Sequence, residues 1–125
     1  MNNQHSNTIR KRLTALESEQ NIKVLLAVES GSRAWGFASA NSDYDVRFIY
    51  IRNLDWYLDI AIEHKRDVIE LPLDNDLDLV GWDVRKALKL LKKSNPSILE
   101  WLSSPLVYCD RENTLEKLVQ LADDY

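Results

Sequence analysis

Three aspartates and one small turn are the residues of this chain whose types and spacing suit chemistry. Gly31 and Ser32 follow the apolar run "IKVLLAV" at 22–28, and after ten intervening residues Asp43 and Asp45 stand at alternate positions in "DYDVRFIYI". Glycine after a strand permits a bend that a side chain would obstruct, and a helix starting just beyond would direct free N–H groups into the turn. Such a turn suits a phosphate, with a hydroxyl donor from Ser32 and a fork of donors from Arg33. By itself, however, a Gly-Ser pair is a common turn former.

Alternation along a strand sends Asp43 and Asp45 to one face and Tyr44 and Val46 to the other. At ~6 Å and an effective dielectric of ~20, two carboxylates repel by about 3 kcal/mol. A divalent cation removes that cost, and an oxygen-only donor set suits Mg²⁺, commonly held by one or two carboxylates together with substrate phosphates. The plainer alternative makes Asp43 a loop cap and Asp45 a solvated edge residue. A third carboxylate shifts the balance: Asp78 sits between Leu77 and Leu79 in "LDLVGW" and faces away from the core side of its strand, whereas Asp74 and Asp76 read as turn residues. Should the two strands be neighbours, three carboxylates converge beside the turn, an arrangement able to bind two metal ions about 4 Å apart and to support in-line displacement at phosphorus.

The elements that must position these residues follow from periodicity. Ile9, Leu13 and Leu16 recur at helical spacing from Thr8 onward, "IKVLLAV" suits a buried strand, and residues 43–51 a second one. "NLDWYLDI" is ambiguous, at most a helical turn. "RDVIELPL" and "LDLVGW" flank "DND" as two strands joined by a tight turn, and Pro72 marks the first as a sheet edge. Asp83 caps a helix with Val84, Ala87, Leu88 and Leu91 as its apolar stripe; Asn95 and Pro96 open "PSILEWL"; a last helix runs through Leu115, Leu118 and Val119. The order α-β-β-β-β-α-α-α predicts an α+β domain, a small mixed β-sheet with helices packed on it.

With 125 residues, 45% of them hydrophobic, the chain is expected to form one domain spanning 1–125. A net charge of −4 argues against coating nucleic acid through an overall basic field. A lone cysteine, Cys109, with no ligand-spaced neighbours, together with no apolar run approaching the ~20 residues of a bilayer span, predicts a cytoplasmic, non-membrane protein. No P-loop or G-x-G-x-x-G is present, because Phe37 and Ala38 stand where a P-loop requires lysine and a hydroxyl residue.

Gly31-Ser32, the ten-residue spacer, Asp43-Tyr44-Asp45 and Asp78 together resemble the DNA polymerase beta-like nucleotidyltransferase superfamily. Over residues 22–103 the chain is most similar to the predicted bacterial nucleotidyltransferases associated with RNA repair, and less so to the minimal nucleotidyltransferases of toxin-antitoxin pairs. The resemblance implies a polymerase beta palm-like core that transfers a nucleoside monophosphate from a triphosphate such as ATP to a hydroxyl on an RNA end or a protein, releasing pyrophosphate. It implies Gly31 and Ser32 on the β and γ phosphates and Arg33 as a further triphosphate ligand. Asp43 and Asp45 would bridge two Mg²⁺ ions, with Mn²⁺ as a substitute, and Asp78 would hold the ion that activates the acceptor. Members of the RNA-repair group continue into a further helical region, so a C-terminal truncation is expected. The competing reading is a nucleotide-binding interaction module, or antitoxin-like partner, without transfer.

Other residues admit bland readings beside functional ones. The basic face of Arg85, Lys86, Lys89, Lys92 and Lys93 reads as a solvated helix face before it reads as an RNA guide. Trp35, Trp56, Trp82 and Trp101 read as core before base-stacking platforms. Arg47, on the Asp45 side of its strand, is a further triphosphate candidate, His5 and His64 lack ligand-spaced partners, and Cys109 reads as a small buried hydrophobe.

Overall fold

The computed structural model describes residues 3–31, 34, 43–74 and 76–124. Helix α1 (Asn3–Gln20) leads into β1 (Ile22–Glu29); β2 (Tyr44–Arg52), the short α2 (Leu54–Tyr57), β3 (Val68–Asp74), β4 (Leu77–Asp83), α3 (Val84–Lys92), α4 (Pro96–Leu102), β5 (Val107–Asp110) and α5 (Thr114–Asp124) follow. The strands form one mixed sheet in the order β3-β4-β2-β1-β5, antiparallel throughout except for the parallel β2–β4 pair. The α+β expectation holds, and β3 lies at an edge, its pairing with β4 lapsing between Leu71 and Asp74 around Pro72.

Helices cover both faces. On one, Ile9, Leu13 and Leu16 of α1 pack on Val24, Ala27, Val46, Phe48, Tyr50 and Leu79. On the other, Leu26, Val28 and Ile49 meet Ala87 and Leu91 of α3, Ile98 and Trp101 of α4 and Leu118 of α5. Each fully buried large apolar side chain contributes about 1.5–3 kcal/mol. A register shift between Val24 and Leu26 reverses the face parity of β1, so that Val24 and Ala27 serve the same core. Asp83 caps α3 by accepting from Arg85 N at 2.8 Å, and Asn95 caps α4 through Ser97 N at 2.9 Å.

Three expectations need correction. Leu88 is not part of the α3 stripe: it is 41% exposed, and Leu90 packs against the core instead. Strand β5 was not foreseen, because four residues after Pro105 are too short for a periodicity to declare itself. His5 is not isolated, since its Nδ1 hydrogen-bonds the Tyr44 hydroxyl across 39 residues of sequence. Trp82 and Trp101 stack with ring centroids 3.7 Å apart, and Trp56 lies between Arg52 and Lys65, which contact its faces at 4.0 and 4.3 Å. Among the described residues no helix is long and apolar enough to cross a membrane.

Candidate functional site

The parallel β2–β4 pair brings the acidic residues together. Asp45 faces Asp78 in register, and residues opposed in a parallel ladder project to the same side of the sheet about 5 Å apart. Two residues further on, Arg47 and Val80 are paired, then Ile49 and Trp82, both of which pack under α3–α5. The two aspartates therefore lie on the α3–α5 side of the sheet, near the starts of β2 and β4. The hairpin between β3 and β4 is fastened there by Tyr44 N donating to Asp76 O at 2.7 Å, and Asp76 takes a φ of 65°, which aspartate tolerates better than most residues. Asp43, exposed, immediately precedes β2.

Gly31 closes this end of the sheet. A Cβ at that position would lie 2.2 Å from Asp45 Oδ2, so the carboxylate rests directly against the glycine, where no other residue type fits without displacing it. Ala34 N donates to Gly31 O at 3.0 Å. Ser32 and Arg33, expected on the phosphates, and Trp35, a candidate stacking residue, lie outside the described residues.

The electrostatics are those of crowded carboxylates beside one cation. Burial raises the pKa of Asp45; Arg47 opposes that rise, and the negative charges of Asp78 and Asp43 add to it. No hydrogen bond to the Asp45 carboxylate occurs among the described residues, whereas Asp78 Oδ2 receives Arg47 Nη2 at 3.1 Å and its backbone carbonyl receives Arg47 Nη1 at the same distance. Arg47 is thus on the aspartate face, as alternation predicts, but its guanidinium is spent on Asp78. Among the described residues no three His, Cys, Asp or Glu side chains stand close enough to surround one ion. The donor set remains all-oxygen, the kind that hard divalent cations prefer.

Glu29 is the site residue that sequence reasoning missed. It is completely buried; its Oε2 accepts from Asp45 N at 2.8 Å and Gly31 N at 3.2 Å, and its Oε1 from the Tyr108 hydroxyl at 2.8 Å. The available signal was a carboxylate ending an otherwise apolar strand immediately before the turn. Of the basic face on α3, Arg85 and Lys89 both pair with Glu63, at 2.8 and 3.5 Å, which favours the solvated-face reading for those two.

No solved structure matches the chain. A Bacillus subtilis (strain 168) protein described as "Uncharacterized protein YcgL" is 54% identical over 109 residues, a match covering 87% of this chain and 41% of that protein. The chain therefore spans less than half the length of the curated relative it matches. A sequence profile of the RNA repair pathway DNA polymerase beta family, RlaP, matches residues 5–125. With the aspartate pair, the glycine turn and the mixed sheet already in place, that match settles the classification: the chain belongs to the RNA repair pathway DNA polymerase beta family and is polymerase beta-like in its nucleotidyltransferase core.

Proposed function

We propose that this protein transfers a nucleoside monophosphate from a nucleoside triphosphate to a hydroxyl acceptor, an RNA end or a protein, with release of pyrophosphate and dependence on Mg²⁺. One observation carries the reading: the Asp45 carboxylate lies against Gly31 and in register with Asp78, which joins the turn and the acidic strands in one place. The residues fit a hard divalent cation, because burial and then the charges of Asp78 and Asp43 disfavour ionised Asp45, and a cation relieves that penalty. Asp43, Asp45 and Asp78 would hold it. When bound, Mg²⁺ supplies charge neutralisation on the phosphates and a lower pKa for the acceptor hydroxyl.

The protein's own part is alignment. Gly31, whose own N–H is held by Glu29, lets the β and γ phosphates approach the backbone, Ser32 offers them its donors, and Arg33 adds a charged fork. Arg47 is held within reach of the same face by Asp78 and is available to a triphosphate once that pair opens. Asp45 presents a carboxylate whose backbone is fixed on both sides, by Glu29 Oε2 and by Ser30 N donating to its carbonyl at 2.9 Å. A transfer of this type needs no covalent enzyme intermediate, since alignment of the attacking oxygen and charge stabilisation suffice.

The test combines protein, Mg²⁺ and each α-labelled nucleoside triphosphate with RNA or protein acceptors. Label transfer that disappears in Asp45→Asn supports the proposal, and absence of both transfer and metal-dependent triphosphate binding in wild type overturns it. The Arg47–Asp78 pair favours one second reading, a nucleotide-binding module in which Asp78 never serves a metal. Triphosphate binding undiminished in Asp78→Asn, with no transfer to any acceptor, would select that module.

A further inference from the structure

Glu29 stands on the opposite side of the sheet from Asp45 and Asp78. Ala27, two residues before it, belongs to the α1-side core, as does Tyr108, whose hydroxyl it receives. From there its Oε2 bridges two backbone donors that sequence separates by fourteen positions, Gly31 N in the turn and Asp45 N in β2. A buried carboxylate costs several kcal/mol in desolvation unless hydrogen bonds compensate, so an apolar residue would be the default at this core position. Here compensation comes from the two amides whose placement defines the site and from one hydroxyl of β5.

The backbone of Glu29 is fixed as well. Its N–H donates to Leu106 O at 3.0 Å, and its carbonyl receives the buried Ser104 hydroxyl. The segment 104–108 thus anchors Glu29, and Glu29 anchors the turn to the strand. We propose that Glu29 is a positioning residue: it sets the spacing between the Gly31 turn and the Asp45 carboxylate, and hence between triphosphate and metal, from behind the sheet. This inference rests on the nucleotidyltransferase reading for its functional consequence, though not for its geometry.

The experiment pairs amide hydrogen exchange with label transfer in Glu29→Ala, Glu29→Gln and Tyr108→Phe. In Glu29→Ala the Gly31 and Asp45 amides should lose protection while Phe48 and Tyr50 keep theirs. Transfer should fall at least about tenfold, since ångström-scale misplacement costs up to ~10²-fold, and the half-saturating Mg²⁺ concentration should rise. Glutamine retains an acceptor for both amides and lets the Tyr108 hydroxyl accept in turn, so Glu29→Gln should recover most of the protection and the transfer. Tyr108→Phe removes one of three bonds and should lower transfer by about threefold or less. Unchanged exchange at Gly31 and Asp45 in Glu29→Ala, or transfer within about twofold of wild type, overturns the assignment even if the enzyme reading stands. Absence of both transfer and metal-dependent triphosphate binding in wild type would instead remove the enzyme reading, and the exchange result alone would then decide whether Glu29 holds the two amides. Should Glu29→Ala fail to fold, exchange and transfer in Glu29→Gln and Tyr108→Phe decide: disproportionate loss at Gly31 and Asp45 in Tyr108→Phe supports the brace, and uniform loss across β2 overturns it.

Discussion

At one end of the β2–β4 ladder Asp45 faces Asp78, and at the other Tyr50 faces Asp83. Asp83 is 2% exposed, yet every demand of its carboxylate is met: Oδ1 caps α3 through Arg85 N, and Oδ2 receives the Tyr57 hydroxyl at 3.0 Å. Burial pushes the Tyr57 pKa up to about 12, which extends the range over which that hydroxyl donates further into alkaline pH. Asp45 is half-buried, receives no such bonds from the described residues, and sits among like charges. The same residue type on adjoining strands of one sheet thus serves stability at one end and is left under-compensated at the other. A neighbouring contrast sharpens this: a Cβ on Gly31 would strike the Asp45 carboxylate, whereas a Cβ on Gly81 would lie 2.1 Å from Phe48 Cε2 in the core.

The largest effect that would expose the difference is on chemistry. Asp45→Asn should lower label transfer by ~10³-fold or more, on the scale of lost preorganised electrostatics, with the fold retained by circular dichroism. Gly31→Ala comes next, costing ~10²-fold in transfer, because the flexible carboxylate of Asp45 can swing away and spare the fold while spoiling the alignment. Gly81→Ala inverts the pattern: urea unfolding should show a loss of about 2 kcal/mol from overpacking against a ring with no exposed surface, and transfer per folded molecule should be unchanged. Tyr57→Phe should cost about 1 kcal/mol of stability through the Asp83 oxygen and Arg52 N–H it leaves short of a partner.

The smallest effect lies in pH dependence. The folded-state pKa of Asp45 is raised above the ordinary 3.8, so between that value and the raised one the folded protein binds more protons than the unfolded chain. Stability contributed by protonated Asp45 is therefore lost as pH rises through the folded pKa. Urea titrations without divalent cation should show Asp45→Asn gaining on wild type over that window and holding a constant advantage above it, under about 1 kcal/mol since solvent screens a partly exposed charge. An advantage that instead shrank as pH rose would count against crowding of the carboxylates.

Much of this was legible in the chain. Asp43, Asp45 and Asp78 announce themselves because carboxylates in β-branched, apolar runs contradict the local pattern, and Gly31 because it ends a strand. The caps at Asp83 and Asn95 are local hydrogen bonds between near neighbours and need no tertiary knowledge. Leu88 misled because a helical stripe gives a direction but not its width; the partner surfaces decide that. Ser32 and Arg33 remain expectations outside the described residues.

The sequence by itself determined the class of fold and singled out the aspartates and the glycine as candidates, since alternation and composition are local properties. Tertiary structure alone decided that β2 and β4 are parallel neighbours, that Arg47 turns to Asp78, and that β5 exists to deliver Tyr108. It also decided the side on which Glu29 lies. Simple alternation from Val24 would send Glu29 to the aspartate face; the irregularity between Val24 and Leu26 reverses the parity and carries it behind the sheet. An extra residue in a strand is a property of its pairing, here with β2, not of the strand, so no pattern within residues 22–29 could declare it.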